Sequence, residues 1–183
     1  MPDPCTVTAL LLVAAAMGGD ASSSSLDRHL EKASFAKSSA VIESKLIDAE
    51  GDQNDFFGVA VDTDGTIAAV GSYLAGESET TGKVSIFQRD QLAWTKTATL
   101  TPADSVSTDF FGLSVALDGQ TVVVGSKFND NANGLNAGAA YVFVRTGKSW
   151  QQQAKLVAVD GEAHDNFGYA VAISGDFIAV GST

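Results

Sequence analysis

The chain has 183 residues, 45% of them hydrophobic and 8% aromatic, which is enough apolar material for one packed domain and too much for global disorder. Its formal charge of −11 argues against nucleic acid as a partner, since phosphate binding needs basic patches, and fits a soluble protein or a binder of cations or basic groups. The lone cysteine, Cys5, rules out an intrachain disulfide and any Cys-based zinc site.

Residues 5–17, CTVTALLLVAAAM, form an apolar run of signal-peptide length that is too short to cross a bilayer. Small polar residues, GGDASSSS, follow it. The pattern predicts a signal peptide over 1–19 and a secreted or cell-surface protein, although the leading MPDP lacks the usual Lys or Arg. Residues 20–38 read as a polar linker. Only SSLDRHLEKASFAK, 24–37, has helix-like spacing, through Leu26, Leu30 and Ala33. No other run reaches transmembrane length, so no membrane span is expected.

From residue 39 onward the chain repeats itself. DFFGVAVDTDGTIAAVGS at 55–72 returns as DFFGLSVALDGQTVVVGS at 109–126 and as DNFGYAVAISGDFIAVGS at 165–182. Leu46, Leu100 and Leu156 mark the starts of the three copies, the last of them truncated, and Trp94 and Trp150 keep the same step. A period slightly above fifty is that of a supersecondary unit such as a propeller blade. The first strand of each unit, GVAVDT, GLSVAL or GYAVAI, alternates large and small apolar residues, as a strand near a crowded axis should. Asp64-Gly65, Asp118-Gly119 and Ser174-Gly175 then predict tight hairpins of type I′. The second strand, IAAV, VVVV or FIAV, is apolar throughout and predicted to be buried on both faces. KVSIF and AAYVFV supply the third strand. In the fourth, WTKTATL or WQQQAKL, Trp94, Ala98 and Leu100 (and Trp150, Ala154 and Leu156) are expected on one dry face.

The three Phe-Gly pairs and their partners thirteen residues on give the chain a resemblance to the FG-GAP repeat family, which includes the seven-bladed propeller of integrin alpha subunits. It rests on Phe57-Gly58, Phe111-Gly112 and Phe167-Gly168, with Gly71-Ser72, Gly125-Ser126 and Gly181-Ser182 in the GAP place. The resemblance covers residues 40–183. It implies an all-β fold, a partial β-propeller of four-stranded antiparallel blades, about 2.75 of them, belonging to a seven-bladed ring. It also implies a binding or adhesion role with a protein or carbohydrate ligand met at the propeller loops. Integrin repeats often hold calcium in a D-x-D-x-D-G loop between the first two strands. Here that loop has shrunk to a two-residue turn, which cannot offer six oxygens, so the chain resembles a metal-poor branch of the family.

Two other places are candidates for a cation or ligand. The loop NDNANGLNAG, 129–138, puts Asn129, Asn131 and Asn133 in an order that resembles an EF-hand, but Ala140 stands where a bidentate Glu belongs. A pair of acids also recurs five residues apart ahead of each Phe-Gly: Glu50 and Asp55, Asp104 and Asp109, Asp160 and Asp165. The inner members are expected to bond local backbone N–H groups; the alternative is a rim of acids for cations or basic ligands. No cofactor is expected, Ca²⁺ being the one candidate.

Nothing here composes an active site. His29 and His164 are the only histidines, and the copies put Asn54 and Thr108 at the position of His164. Phosphate loops, H-E-x-x-H and G-x-S-x-G are missing from the sequence. A non-catalytic extracellular binding module is therefore expected, with an accessory propeller of a secreted hydrolase or lyase as the alternative. Residues 39–46, SAVIESKL, read as an outer strand without inner strands before it, and the third copy stops after its second strand. Further blades are expected from a missing C-terminal part or from an oligomer.

Overall fold

A computed structural model describes residues 9–10, 44–51, 54–75, 81–91, 93–104, 106 and 108–183. Most of the predicted signal peptide, the linker and the helix-like stretch lie outside the described residues. β1 (Ala9–Leu10) pairs antiparallel with β2 (Lys45–Leu46). Every further sheet is a meander whose strands pair antiparallel with their sequence neighbours. β3 (Val61–Thr63), β4 (Ile67–Ser72), β5 (Lys83–Asp90) and β6 (Ala93–Leu100) form the first sheet. The second contains β7 (Ser114–Asp118), β8 (Thr121–Ser126), β9 (Ala139–Thr146) and β10 (Ser149–Leu156). β11 (Ala170–Ser174) and β12 (Phe177–Gly181) form a two-stranded third sheet. The inner strands β3, β7 and β11 neighbour one another in sequence order. The fold is all-β, and its sheets stack as partial propeller blades.

The strictly apolar second strands now have a cause. Antiparallel strands send alternate side chains to opposite faces, and each face of a central sheet meets a different neighbour. Ile67 and Ala69 pack with Val122 and Val124 in the core between the first and second sheets. Ala68 and Val70 turn the other way, onto Leu46 and Phe57. Val123 faces the third sheet, where Val171, Ile173 and Val180 meet it. β4 is buried at all six positions, and β8 at all but Thr121. Each fully buried Val or Ile adds about 1.5–3 kcal/mol. In contrast, β12 is exposed at four of its five positions.

Three local expectations need correction. The hairpin turns carry glycine at the first central position, Gly119 (φ 55) before Gln120 and Gly175 (φ 54) before Asp176, with strand pairs Asp118–Thr121 and Ser174–Phe177 closing them. Only one central residue has positive φ, which is the type II′ pattern, not I′. Asp64 therefore flanks its turn, and its carboxylate accepts from the N–H of Thr66 and of Ile67 at 2.7 Å each; these bonds outweigh burial and lower its pKa. The first strand of the first unit is also shorter than expected, because Gly58 and Val59 belong to a turn in which Val59 N–H donates to Phe56 C=O.

The fourth strand does not keep one dry face. A β-bulge makes the ladder skip Thr97 between Lys96 and Ala98, and Gln153 between Gln152 and Ala154. A bulge exchanges the faces beyond it. Trp94 packs with Leu46 and Phe57, whereas Ala98 joins the next core along with Leu100. Trp150 likewise packs backward, with Ala154 and Leu156 forward. One outer strand thus serves two cores.

Candidate functional site

The loops that lead into the inner strands converge at one end of the stack. In each, the Gly of Phe-Gly donates its N–H to the carbonyl of the glycine thirteen residues on: Gly58 to Gly71 at 2.9 Å, Gly112 to Gly125 at 3.1 Å, Gly168 to Gly181 at 3.0 Å. The carbonyl two residues before each of those Gly donors, on Phe56, Phe110 or Asn166, accepts from the N–H three positions on, and the Gly itself has φ of 91–92°. That is a type II turn, whose third position needs positive φ. Phe57, Phe111 and Phe167 then point into the cores between sheets, and Phe111 is fully buried against the edges of Tyr141 and Phe143.

The second glycine has a different reason. A Cβ on Gly71 would overlap the Gly112 carbonyl oxygen of the next repeat, and one on Gly125 would overlap that of Gly168. Gly82 and Gly138 meet the Phe111 and Phe167 carbonyls in the same way, and Gly138 forms a parallel bridge to Phe167. Backbone therefore lies on backbone at each junction, and only glycine leaves room. Gly82 and Gly138 were missed in the sequence, although they lie 56 residues apart in step with the strands around them.

The recurring acids are spread over separate loops. Asp109 is buried and accepts from Val106 N–H at 3.2 Å and Asn129 Nδ2 at 2.8 Å. Burial is the largest influence on it and raises its pKa, the Asn129 and Val106 bonds opposing. Asp165 accepts from Glu162 N–H at 2.8 Å. Asp55 is buried with Lys83 Nζ at 3.6 Å. The outer members sit at the surface: Glu50 pairs with Lys96 at 3.0 Å, Asp104 with Lys155 at 2.7 Å, and Asp160 is exposed. Among the described residues no three acidic, His or Cys side chains gather as a cation site would require.

Asp48 was not singled out in the sequence, because its counterparts are Pro102 and Ala158. It is the most heavily paired acid of the chain, held by Lys96 at 2.8 Å, Lys83 at 3.0 Å and Ser85 Oγ at 3.3 Å. Burial would raise its pKa, but the two ammonium groups prevail and bring it down to about 2. Lys96 is shifted up in return, its bonds to Asp48 and Glu50 overcoming burial. A shallow groove lined by Ile47, Glu50, Thr97 and Thr99 lies over this cluster.

The asparagine loop spends its side chains on backbone. Asn131 Nδ2 donates to Gly138 C=O at 2.8 Å, its Oδ1 accepts from Asn133 N–H at 2.9 Å, and Asn133 Nδ2 donates to Ala158 C=O at 2.7 Å. The loop also receives the N–H groups of His164, Asn166 and Phe167 on its own carbonyls. It clasps the second sheet to the third repeat. His164 is exposed and, like Thr108 at its counterpart position, has positive φ (72° and 79°).

Across the same end runs a row of aromatic rings. Phe56 and Tyr73 lie 5.0 Å apart between centroids, Tyr73 and Phe110 4.9 Å, Phe110 and Phe128 4.9 Å. Lys127 Nζ lies 4.5 Å from the Phe128 ring and 5.3 Å from the Tyr169 ring, which carries the row toward the third repeat. Phe56 and Tyr169, at its two ends, are about half exposed. The doubled Phe of DFFG hinted at this row. Its other half was hidden, because Tyr73 and Phe128 do not occupy equivalent positions.

Glycine pairs on backbone junctions, buried Phe plugs and a thirteen-residue spacing coincide with a known repeat: the FG-GAP repeat matches residues 41–87, 94–143 and 150–183. The chain belongs to the FG-GAP repeat family. Each match starts in an outer strand, crosses into the next sheet and runs through its inner strands, so the sequence repeat straddles two FG-GAP blades. No curated protein matches the chain. FG-GAP repeats make it a propeller-type binding module, and no helix among the described residues is long and apolar enough to cross a membrane.

Proposed function

We infer that this FG-GAP chain is a non-catalytic adhesion or binding module, secreted or at the cell surface, that meets a protein or carbohydrate ligand with the loops at the Phe-Gly end. The aromatic row from Phe56 to Tyr169 carries this reading. Exposed rings held by rigid turns lose little conformational entropy on binding, which is why aromatic residues dominate contact energies at interfaces. The acids beside the row are tied to lysines or backbone, so none is set as a free acid opposite a free base, as hydrolysis requires. FG-GAP repeats occur typically in extracellular and cell-surface proteins, which supports the location.

The test immobilises the full chain and passes a panel of soluble matrix proteins and polysaccharides over it. At least one partner is expected to bind saturably, and a Phe56→Ser/Tyr169→Ser variant of unchanged melting temperature is expected to bind at least about tenfold more weakly. Saturable binding that ignores the variant would overturn the assignment to this face. Hydrolysis of a panel member, abolished by replacing one of the loop acids, would overturn the non-catalytic reading.

A further inference from the structure

The third sheet contains two strands where the others contain four. β12 pairs with β11 through Ser174–Phe177 to Ala170–Gly181. Antiparallel pairing alternates its hydrogen bonds, so beyond that closing pair the N–H and C=O of Ile178 and Val180 point to the far edge. That edge has no partner strand among the described residues. FIAVG contains no charge, proline or bulge to blunt it. Beside the edge lies a floor of half-buried Val144, Ala154 and Leu156 from β9 and β10.

The protein shows twice what fills such a slot. In the first sheet β5 lies against β4, with Phe87 opposite Ala68 and Ser85 opposite Val70. In the second, β9 lies against β8, with Phe143 opposite Val122 and Tyr141 opposite Val124. Val122 and Val124 are the counterparts of Ile178 and Val180. The rings of Phe87 and Phe143 drop onto the preceding sheet's side of the core. A second copy cannot pair β12 with β12, because the β9–β10 hairpin of each copy projects under its own free edge and the two would collide. The slot is one hairpin wide.

We propose that the β11–β12 sheet takes up an extended segment of a partner chain as an added antiparallel strand. The segment places an aromatic residue opposite Ile178 and a second apolar residue opposite Val180, with small residues between. Main-chain bonds to Ile178 and Val180 supply affinity, and the alternate side chains supply selectivity. This is an interaction surface separate from the aromatic row.

The test adds a synthetic peptide with the sequence of residues 139–156, the protein's own third-and-fourth-strand hairpin, to the full chain. Saturable binding is expected, with slowed hydrogen exchange at the Ile178 and Val180 amides. A peptide with Glu at the positions of Tyr141 and Phe143 is expected to lose it. So is the protein variant Ile178→Pro, which removes an outward N–H while leaving the β11 ladder, since proline is tolerated on edge strands. Exchange on the unaltered protein decides the matter should that variant fold poorly. No binding, equal binding of both peptides, or protection elsewhere would overturn the proposal. So would protection of the same two amides without peptide in a species of twice the protomer mass, which would make a second copy the occupant.

Discussion

Glycine occurs at equivalent positions 71, 125 and 181, and the structure predicts opposite results for the same substitution at two of them. None of the three has a positive φ, so alanine is compatible with the backbone at each. What differs is space. At Gly125 an added Cβ overlaps the carbonyl oxygen of Gly168 and the hydroxyl of Ser114. The hydroxyl can rotate away. The carbonyl belongs to the next sheet's backbone and is fixed by the Gly168–Gly181 hydrogen bond and the Gly138–Phe167 bridge. The sheets must part. Overpacking of a tight core costs about 1–3 kcal/mol, and an immovable obstacle puts Gly125→Ala at the top of that range, about 3 kcal/mol. At Gly181 the nearest atoms to the added Cβ are 3.7 and 3.8 Å away, both on Ala170, which is ordinary van der Waals contact. There the restricted unfolded chain should make Gly181→Ala neutral or stabilising by about 0.4–1 kcal/mol.

Thermal melting reads this directly. For a chain of this size about 2–4 °C accompanies each kcal/mol, so Gly125→Ala should lower the midpoint by roughly 6–12 °C and Gly181→Ala should leave it level or raise it slightly. Because repeats unfold from their weakest joint, amide exchange should accelerate first in β11 and β12. Two substitutions with equal effects would refute the account of the second glycine as a backbone seat.

Other outcomes follow from burial and charge. Phe111→Ala empties a fully buried site at the junction of the first two sheets and should cost about 3–5 kcal/mol, whereas Phe56→Ala, one ring along in the same motif but half exposed, should cost less than about 1 kcal/mol in urea titration. Asp48 has a folded pKa near 2, below its ordinary 3.8, so its ionised form adds stability that is present above about pH 4 and is lost as pH falls toward 2. The shift corresponds to roughly 2 kcal/mol; Asp48→Asn should remove that acid-dependent slope, and a slope unchanged by the substitution would contradict the Lys83–Asp48–Lys96 pairing. Asp109 has the opposite sign. Its raised pKa means that its contribution is greatest below about pH 4 and declines as pH rises through the folded value, so Asp109→Asn should gain on the native protein as pH increases over that interval.

Which features the sequence disclosed depended on whether their cause repeats. The junction glycines answer a need that recurs at every joint, the approach of one backbone to another, and nothing else satisfies it; three copies in register therefore revealed both the blades and their order. The bulges at Thr97 and Gln153 recur too, but a bulge leaves no mark on a period-two pattern: Trp94, Lys96, Ala98 and Leu100 keep strict alternation in the sequence while the chain exchanges their faces between Lys96 and Ala98. Asp48 was silent for the converse reason. It occurs once, and what identifies it is the meeting of Lys83 and Lys96 from two different strands. The aromatic row lies between these cases. Phe56 and Phe110 repeat, yet the ring between them comes from Tyr73, whose counterpart is Lys127, while Phe128 stands in the place of Leu74. Aligning the copies separates residues that the fold brings within 5 Å. In a repeat protein the shared positions build the scaffold, and a binding face has to be sought where the copies disagree.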